Sequence, residues 1–153
     1  MKKIIFFLII VTFFWSCTTN LGVFEKQVPF ANHEWSSKET PSFNFEIKDT
    51  GTAYNLFVVI RHEDAYRYKN IWLNIVVKDP DSSYTIKREF PLSDNTRWLG
   101  SGIDDVIEHR INFNSLPVNL KKGNYTFTIQ QIMREDPLQY VLNAGIRVEK
   151  VKS

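Results

Sequence analysis

Apolar and polar residues alternate with a period of two along most of the chain, which predicts strands rather than helices. Phe43, Phe45 and Ile47 alternate with Asn44, Glu46 and Lys48, and Asp49-Thr50-Gly51 then supplies turn chemistry. Tyr54, Leu56, Val58 and Ile60 resume the rhythm, while Phe57 and Val59 add apolar residues on the other face. That double facing predicts a central strand covered on both sides. Ile71, Leu73, Ile75 and Val77 alternate with Trp72, Asn74, Val76 and Lys78 up to the turn Asp79-Pro80-Asp81-Ser82-Ser83. Tyr84, Ile86, Arg88 and Phe90 follow with the same period, which predicts an antiparallel hairpin with a loop of four or five residues. Lys122-Gly123-Asn124 opens a strand with Tyr125, Phe127 and Ile129 inward, and the last strand carries Ile146, Val148 and Val151.

Two stretches depart from the rhythm. Arg134 to Leu142 contains Pro137 and reads as a loop or one helical turn. Ser101 to Ile107 reads as a second short helical turn, with Asp104 and Asp105 near its positive start. Neither is long enough for a helical layer. The chain is therefore expected to be all-β, an antiparallel two-sheet β-sandwich of jelly-roll or immunoglobulin-like type with about seven or eight strands.

The first residues follow another logic. Lys2 and Lys3 precede an apolar run from Ile4 to Trp15, interrupted only by Thr12, and Ser16-Cys17-Thr18-Thr19-Asn20 turns small and polar. This is the zone order of a secretory signal, and the run is shorter than the ~20 apolar residues a spanning helix needs. Phe14-Trp15-Ser16-Cys17 resembles the lipobox of bacterial lipoproteins, with a small residue before the cysteine, although Phe14 and Trp15 are bulkier than the commonest box. Cleavage before Cys17 and acylation of that residue would account for an exported chain with a single cysteine. Residues 1–16 are thus read as a signal peptide, 17–27 as lipidated cysteine and tether, and 28–153 as the sandwich domain. Thr18 follows the cysteine where an aspartate would suggest inner-membrane retention, and residues 18–22 carry no acidic run. The expected location is therefore the periplasmic face of the outer membrane.

Composition changes the picture in one respect. Losing Lys2 and Lys3 reduces 19 basic residues to 17, equal to the 17 acidic ones, so the mature domain is neutral. A nucleic-acid partner, which would call for clustered excess Lys and Arg, is excluded. With Cys17 acylated, the fold must rest on its core without disulfides.

Candidate chemistry is sparse. His33, His62 and His109 stand apart from any ligand spacing, and His62-Glu63-Asp64 reads as a solvated strand end. Asp104, Asp105 and Glu108 form a small acidic group whose simplest role is a helix start and a wet face. Gly100-Ser101-Gly102 fits no dinucleotide fingerprint and reads as a loop needing unusual backbone angles, with Trp98 and Leu99 packing beside it. No G-x-S-x-G elbow occurs, and no cofactor or metal is expected. Tyr66, Tyr68 and Trp72 are the candidate contacts for a protein partner or a glycan, with burial under a neighbouring loop the alternative for each; Trp35 and Trp98 read as core or rim.

Taken in order and spacing, these features resemble the GldH family of gliding-motility-associated lipoproteins. The likeness is carried by Phe14-Trp15-Ser16-Cys17, by the strand pair Tyr54–Glu63 and Asn70–Asp79, and by Trp98-Leu99-Gly100-Ser101-Gly102-Ile103-Asp104-Asp105 with Glu108-His109-Arg110-Ile111. Gly123–Met133 leading to Asp136-Pro137-Leu138 completes it. The resemblance implies a non-enzymatic accessory or scaffold component of gliding motility and its associated secretion machinery, held to a membrane by lipid and partnered by other envelope proteins. It implies no catalytic residue and no cofactor. The competing function is an envelope carbohydrate-binding module, suggested by aromatic residues on a sandwich.

Overall fold

Period-two alternation places one row of each strand inward, and two such sheets bury their rows against each other. The computed structural model describes residues 22–152; the expected signal peptide, Cys17 and the first residues of the expected tether lie outside them. The strands, in chain order, are β1 (Val23–Pro29), β2 (Glu34–Trp35), β3 (Ser42–Ile47), β4 (Ala53–Glu63), β5 (Asn70–Lys78), β6 (Ser83–Pro91), β7 (Ser101–Ile103), β8 (Val106–Asn112), β9 (Val118–Asn119), β10 (Gly123–Gln131), β11 (Leu138–Gln139) and β12 (Val141–Lys150). One 3-10 turn, Ala31–His33, sits between β1 and β2.

One sheet runs β1-β12-β4-β8-β7, with β9 also on β4; the second runs β3-β10-β5-β6; β2 and β11 form a small third pair. Every pairing is antiparallel. This is the expected sandwich, with twelve strands rather than seven or eight. The excess comes mainly from β2, β7, β9 and β11, pairings of two or three residues too short to show a period.

The core is the predicted inward rows. Phe43, Phe45 and Ile47 of β3, Tyr125, Phe127 and Ile129 of β10, and Ile71, Leu73, Ile75 and Val77 of β5 are buried. They face Tyr54, Leu56, Val58 and Ile60 of β4 and Ala144, Ile146 and Val148 of β12. Aromatic stacking supplements the burial, as between Phe45 and Tyr125 at 5.4 Å. Trp35, stacked on Phe30 at 4.7 Å, closes one end. β4 is central as expected, between β12 and β8, and Val59 on its outer side is fully buried too.

Four expectations change. Val23–Pro29, expected up to residue 27 as part of a tether, pairs instead with Asn143–Glu149 as β1; half-buried Phe24 and Val28 supply the apolar reason. Ser101–Ile107 is not helical but a hairpin, in which Ile103 pairs with Val106 around the two-residue turn Asp104-Asp105. Asp104 takes a positive φ of 56°, a conformation aspartate tolerates in tight turns. Arg134–Leu142 contains no helical turn: Leu138 pairs with Trp35, and Val141 already belongs to β12. Gly100 and Gly102 are not there for unusual angles. A Cβ on Gly100 would lie 2.4 Å from the Glu108 carbonyl oxygen, so close strand approach is the reason.

Candidate functional site

Two neighbouring features carry the polar chemistry of the end opposite Gly22. The chain enters β1 beside the end of β12, where the Lys150 amide donates to the Gly22 carbonyl at 2.8 Å. At the other end of β4 lie His62 and Glu63, and the loop after them holds Tyr66 and Tyr68.

His62 shares the inward side of β4 with Tyr54, Leu56, Val58 and Ile60, and it is fully buried. The neighbouring β8 offers His109, 2% exposed, opposite Ile60. Their Nε2 atoms lie 2.9 Å apart. The Glu63 carbonyl accepts only, so His62 Nδ1, at 2.6 Å, carries the proton and donates. Neutral His62 then has a bare Nε2, and His109 Nε2–H donates to it. Tyr66 packs on the His62 ring at 5.0 Å and Trp98 meets it edge-on at 4.5 Å. Trp98 in turn donates its indole N–H to Asp64 at 2.6 Å, which pins the covering loop. The reading of His62 as a solvated strand end is thus overturned. Its parity with Ile60 was the available signal; the Trp98 loop that covers it was not foreseeable.

Burial holds both imidazoles below their ordinary value, His109 at about 4, with His62 nearby adding to the effect on His109. The unfolded chain takes up these protons near the ordinary histidine value of about 6.5 while the folded chain refuses them. Stability therefore falls as pH drops from about 6.5 and stops falling on this account near pH 4. The expected loss is at most about 3 kcal/mol from His109. Urea midpoints measured at pH 7, 6 and 5 should decline accordingly, and the decline should flatten in the double variant His62→Phe, His109→Leu. An unchanged slope would remove the pair as its cause. The depressed carboxyls Asp49, Asp79, Asp94 and Asp136 act in a lower window.

The second feature is an open groove of about 460 Å³ on the outer face of the four-stranded sheet, lined by Tyr68, Asn70, Trp72, Lys87, Met133 and Arg134, with Ile132 in its floor. Trp72 has the parity expected of it, opposite to Ile71 and Leu73, and is half-buried. Its carbonyl accepts from the Ile132 amide at 3.0 Å, and the Trp72 amide donates to the Met133 sulfur at 3.2 Å. Lys87 Nζ sits 5.9 Å from the centre of the Trp72 ring.

Of the three candidate contact residues, Tyr68 and Trp72 thus share one groove. Tyr66 does not. It is 4% exposed, its hydroxyl donates to the Asn70 carbonyl at 3.0 Å, and its ring meets Tyr68 edge-on at 5.7 Å. Burial raises its pKa well above the ordinary tyrosine value. It is a strut behind the groove rather than a contact surface.

The acidic group does not converge. Asp104 and Asp105 are exposed in the hairpin turn, whereas Glu108 lies on the outer face of its sheet, 2.9 Å from Arg110. There it joins a row in which Arg147 contacts Glu25 at 2.7 Å and Glu149 at 2.9 Å. Burial pushes Glu25 up, but Arg147, Gln27 and Arg110 outweigh it and hold it below its ordinary value. Partly exposed pairs of this kind contribute little stability each. Among the described residues no group of three or more His, Cys, Asp or Glu is placed to hold a metal ion, and no helix is long and apolar enough to cross a membrane.

The fold and these features define a β-sandwich domain with a basic, aromatic surface groove and a buried histidine pair. A family model described as GldH lipoprotein matches residues 22–148, and the chain belongs to that family. It is 30% identical over 128 residues to the gliding motility lipoprotein GldH homolog of Christiangramia forsetii, covering 77% of this chain and 78% of the relative. It is 25% identical over 127 residues to the gliding motility lipoprotein GldH of Flavobacterium johnsoniae, covering 76% and 77%. Among solved structures, dimeric latent PorU from Porphyromonas gingivalis overlays with a TM-score of 0.39 at 13% identity. That overlay covers 84% of this chain but only 13% of PorU.

Proposed function

We propose that this lipoprotein is held by acyl chains on Cys17 at the periplasmic face of the outer membrane. There it serves, without catalysis, as an accessory or scaffold component of gliding motility and the associated secretion machinery. The observation that carries the reading is the family match across 22–148 together with relatives named as gliding motility lipoproteins. The distribution of polar groups supports the non-catalytic part. His62 and His109 are spent on each other inside the core, and Asp104 and Asp105 are exposed in a turn while Glu108 is paired with Arg110.

Only residues 18–22 separate Cys17 from β1. Even fully extended, five residues reach about 18 Å, so the anchored domain stands close to the bilayer with its groove end outward. Deleting the gene should abolish spreading on agar and reduce the secreted protein fraction. Unchanged spreading together with an unchanged secreted fraction would sink the proposal.

A further inference from the structure

We propose that the groove between Tyr68, Trp72, Lys87, Met133 and Arg134 is a docking site for an acidic segment of a protein partner, with an apolar side chain of that segment seated against Trp72 and Met133. The inference rests on the reading of this protein as a partner-binding component and names the chemistry of the partner.

Charge gives the first argument. Lys87 and Arg134 make no ion pair among the described residues, whereas nearby Arg67 and Arg97 are matched by Glu135 and Asp94. Among the lining residues there is no carboxylate, and Glu135, which reaches the Tyr68 hydroxyl from the side, is already paired with Arg67. Glu89, opposite Trp72 on β6, lies just outside it and is held by the Asn70 side-chain amide at 2.5 Å. The groove therefore offers two cations that are not engaged in an ion pair, which complements an anionic partner.

The floor gives the second. Trp, Tyr and Arg are the residues that most often anchor protein interfaces, and an unbranched methionine adapts to varied apolar side chains. Half-buried Trp72, Met133 and Ile132 make a seat for such a side chain beside the cations. A sugar fits less well. The part of the lining made by Ile132 and Met133 offers hydroxyl groups nothing to bond but suits an apolar side chain.

Preorganisation gives the third. Tyr66 braces Tyr68 from behind, and the Ile132 amide fixes the Trp72 backbone, so docking orders few groups. The groove also lies at the end of β5 remote from the tether, where a partner has access.

The test is an array of peptides tiling the exported proteins of the same bacterium, probed with the full mature lipoprotein in detergent micelles, beside an array of neutral and acidic oligosaccharides. The bound peptides should share an acidic run next to a large apolar residue, and binding should weaken as salt rises. Trp72→Ala should weaken it about tenfold, and so should the double variant Lys87→Glu, Arg134→Glu, which should also gain basic peptides. The milder double variant Lys87→Gln, Arg134→Gln should lose the acidic preference with an unchanged circular dichroism spectrum. Absence of any Trp72-dependent peptide, bound peptides without net negative charge, or capture of oligosaccharides instead of peptides would each overturn the proposal. Gene deletion reports on the wider role without reference to the groove, so the two readings fail separately.

Discussion

Replacing Cys17 by serine is expected to remove the protein from the outer-membrane fraction almost completely and to abolish its labelling by palmitate. The reason is that nothing among the described residues has comparable membrane affinity. Each buried methylene contributes about 0.8 kcal/mol, so two long acyl chains hold a protein stably where a single chain is marginal. Against this, no helix among the described residues is long and apolar enough to span a bilayer. Residues 17–153 have equal numbers of basic and acidic residues, so no net charge draws them to anionic lipid. Signal processing at a lipobox also depends on the cysteine. The variant should therefore accumulate either as precursor, recognisable by mass, or as unlipidated protein in the periplasm. Retention in the outer membrane at unchanged mass would show that Cys17 is not the anchor.

Gly145→Ala is expected to destabilise the sandwich by about 2–4 kcal/mol, a large share of the 5–15 kcal/mol that holds a typical domain. Gly145 lies in β12 between two neighbours, opposite Gln27 of β1 and Val59 of β4. A Cβ there would sit 2.3 Å from the Lys26 carbonyl oxygen and 2.9 Å from the Gln27 Cα. Both are backbone atoms in a paired strand, so relief requires β1 to move away from β12 rather than one side chain to turn. Close-packed interiors resist such shifts. Gly51→Ala is the matched control, because its nearest neighbour is only the Asp49 side chain at 3.3 Å in a turn. Equilibrium urea unfolding of the two variants should separate them clearly; equal midpoints would refute the steric account.

The contrast between these glycines shows how far local pattern reaches. Alternation correctly assigned the inward rows of β3, β5 and β10, the central place of β4, and the outward parity of Trp72, because the pleat makes side-chain direction a property of the strand alone. The hairpin of β5 and β6 was equally legible, since its turn residues are contiguous. The hairpin of β7 and β8 was not. Asp104-Asp105 reads equally well as a helix start, and only pairing of Ser101 with Glu108 decides for a turn. The pairing of β1 was hidden for a related reason: its partner, β12, lies more than a hundred residues further along the chain.

The site divides in the same way. Tyr68 and Trp72 were visible as candidates from their types and positions, but the withdrawal of Tyr66 into the interior depended on His62 and Asn70 around it. His62 and His109 sit on inward rows, yet a polar residue near a strand end is buried or wet according to what covers it, and here the cover is the Trp98 loop.

By itself, then, the sequence determined an exported all-β chain with a lipidation-type cysteine, the facing of its long strands and the family to which it is similar. These follow from short-range periodicity, turn chemistry and the zone order of the N-terminus. Tertiary structure alone decided which strands share a sheet, which histidines meet, why Gly145 must be glycine, and that Tyr68, Trp72, Lys87 and Arg134 open onto one groove. An alternating strand fits many partners equally well, and only long-range pairing and packing choose among them.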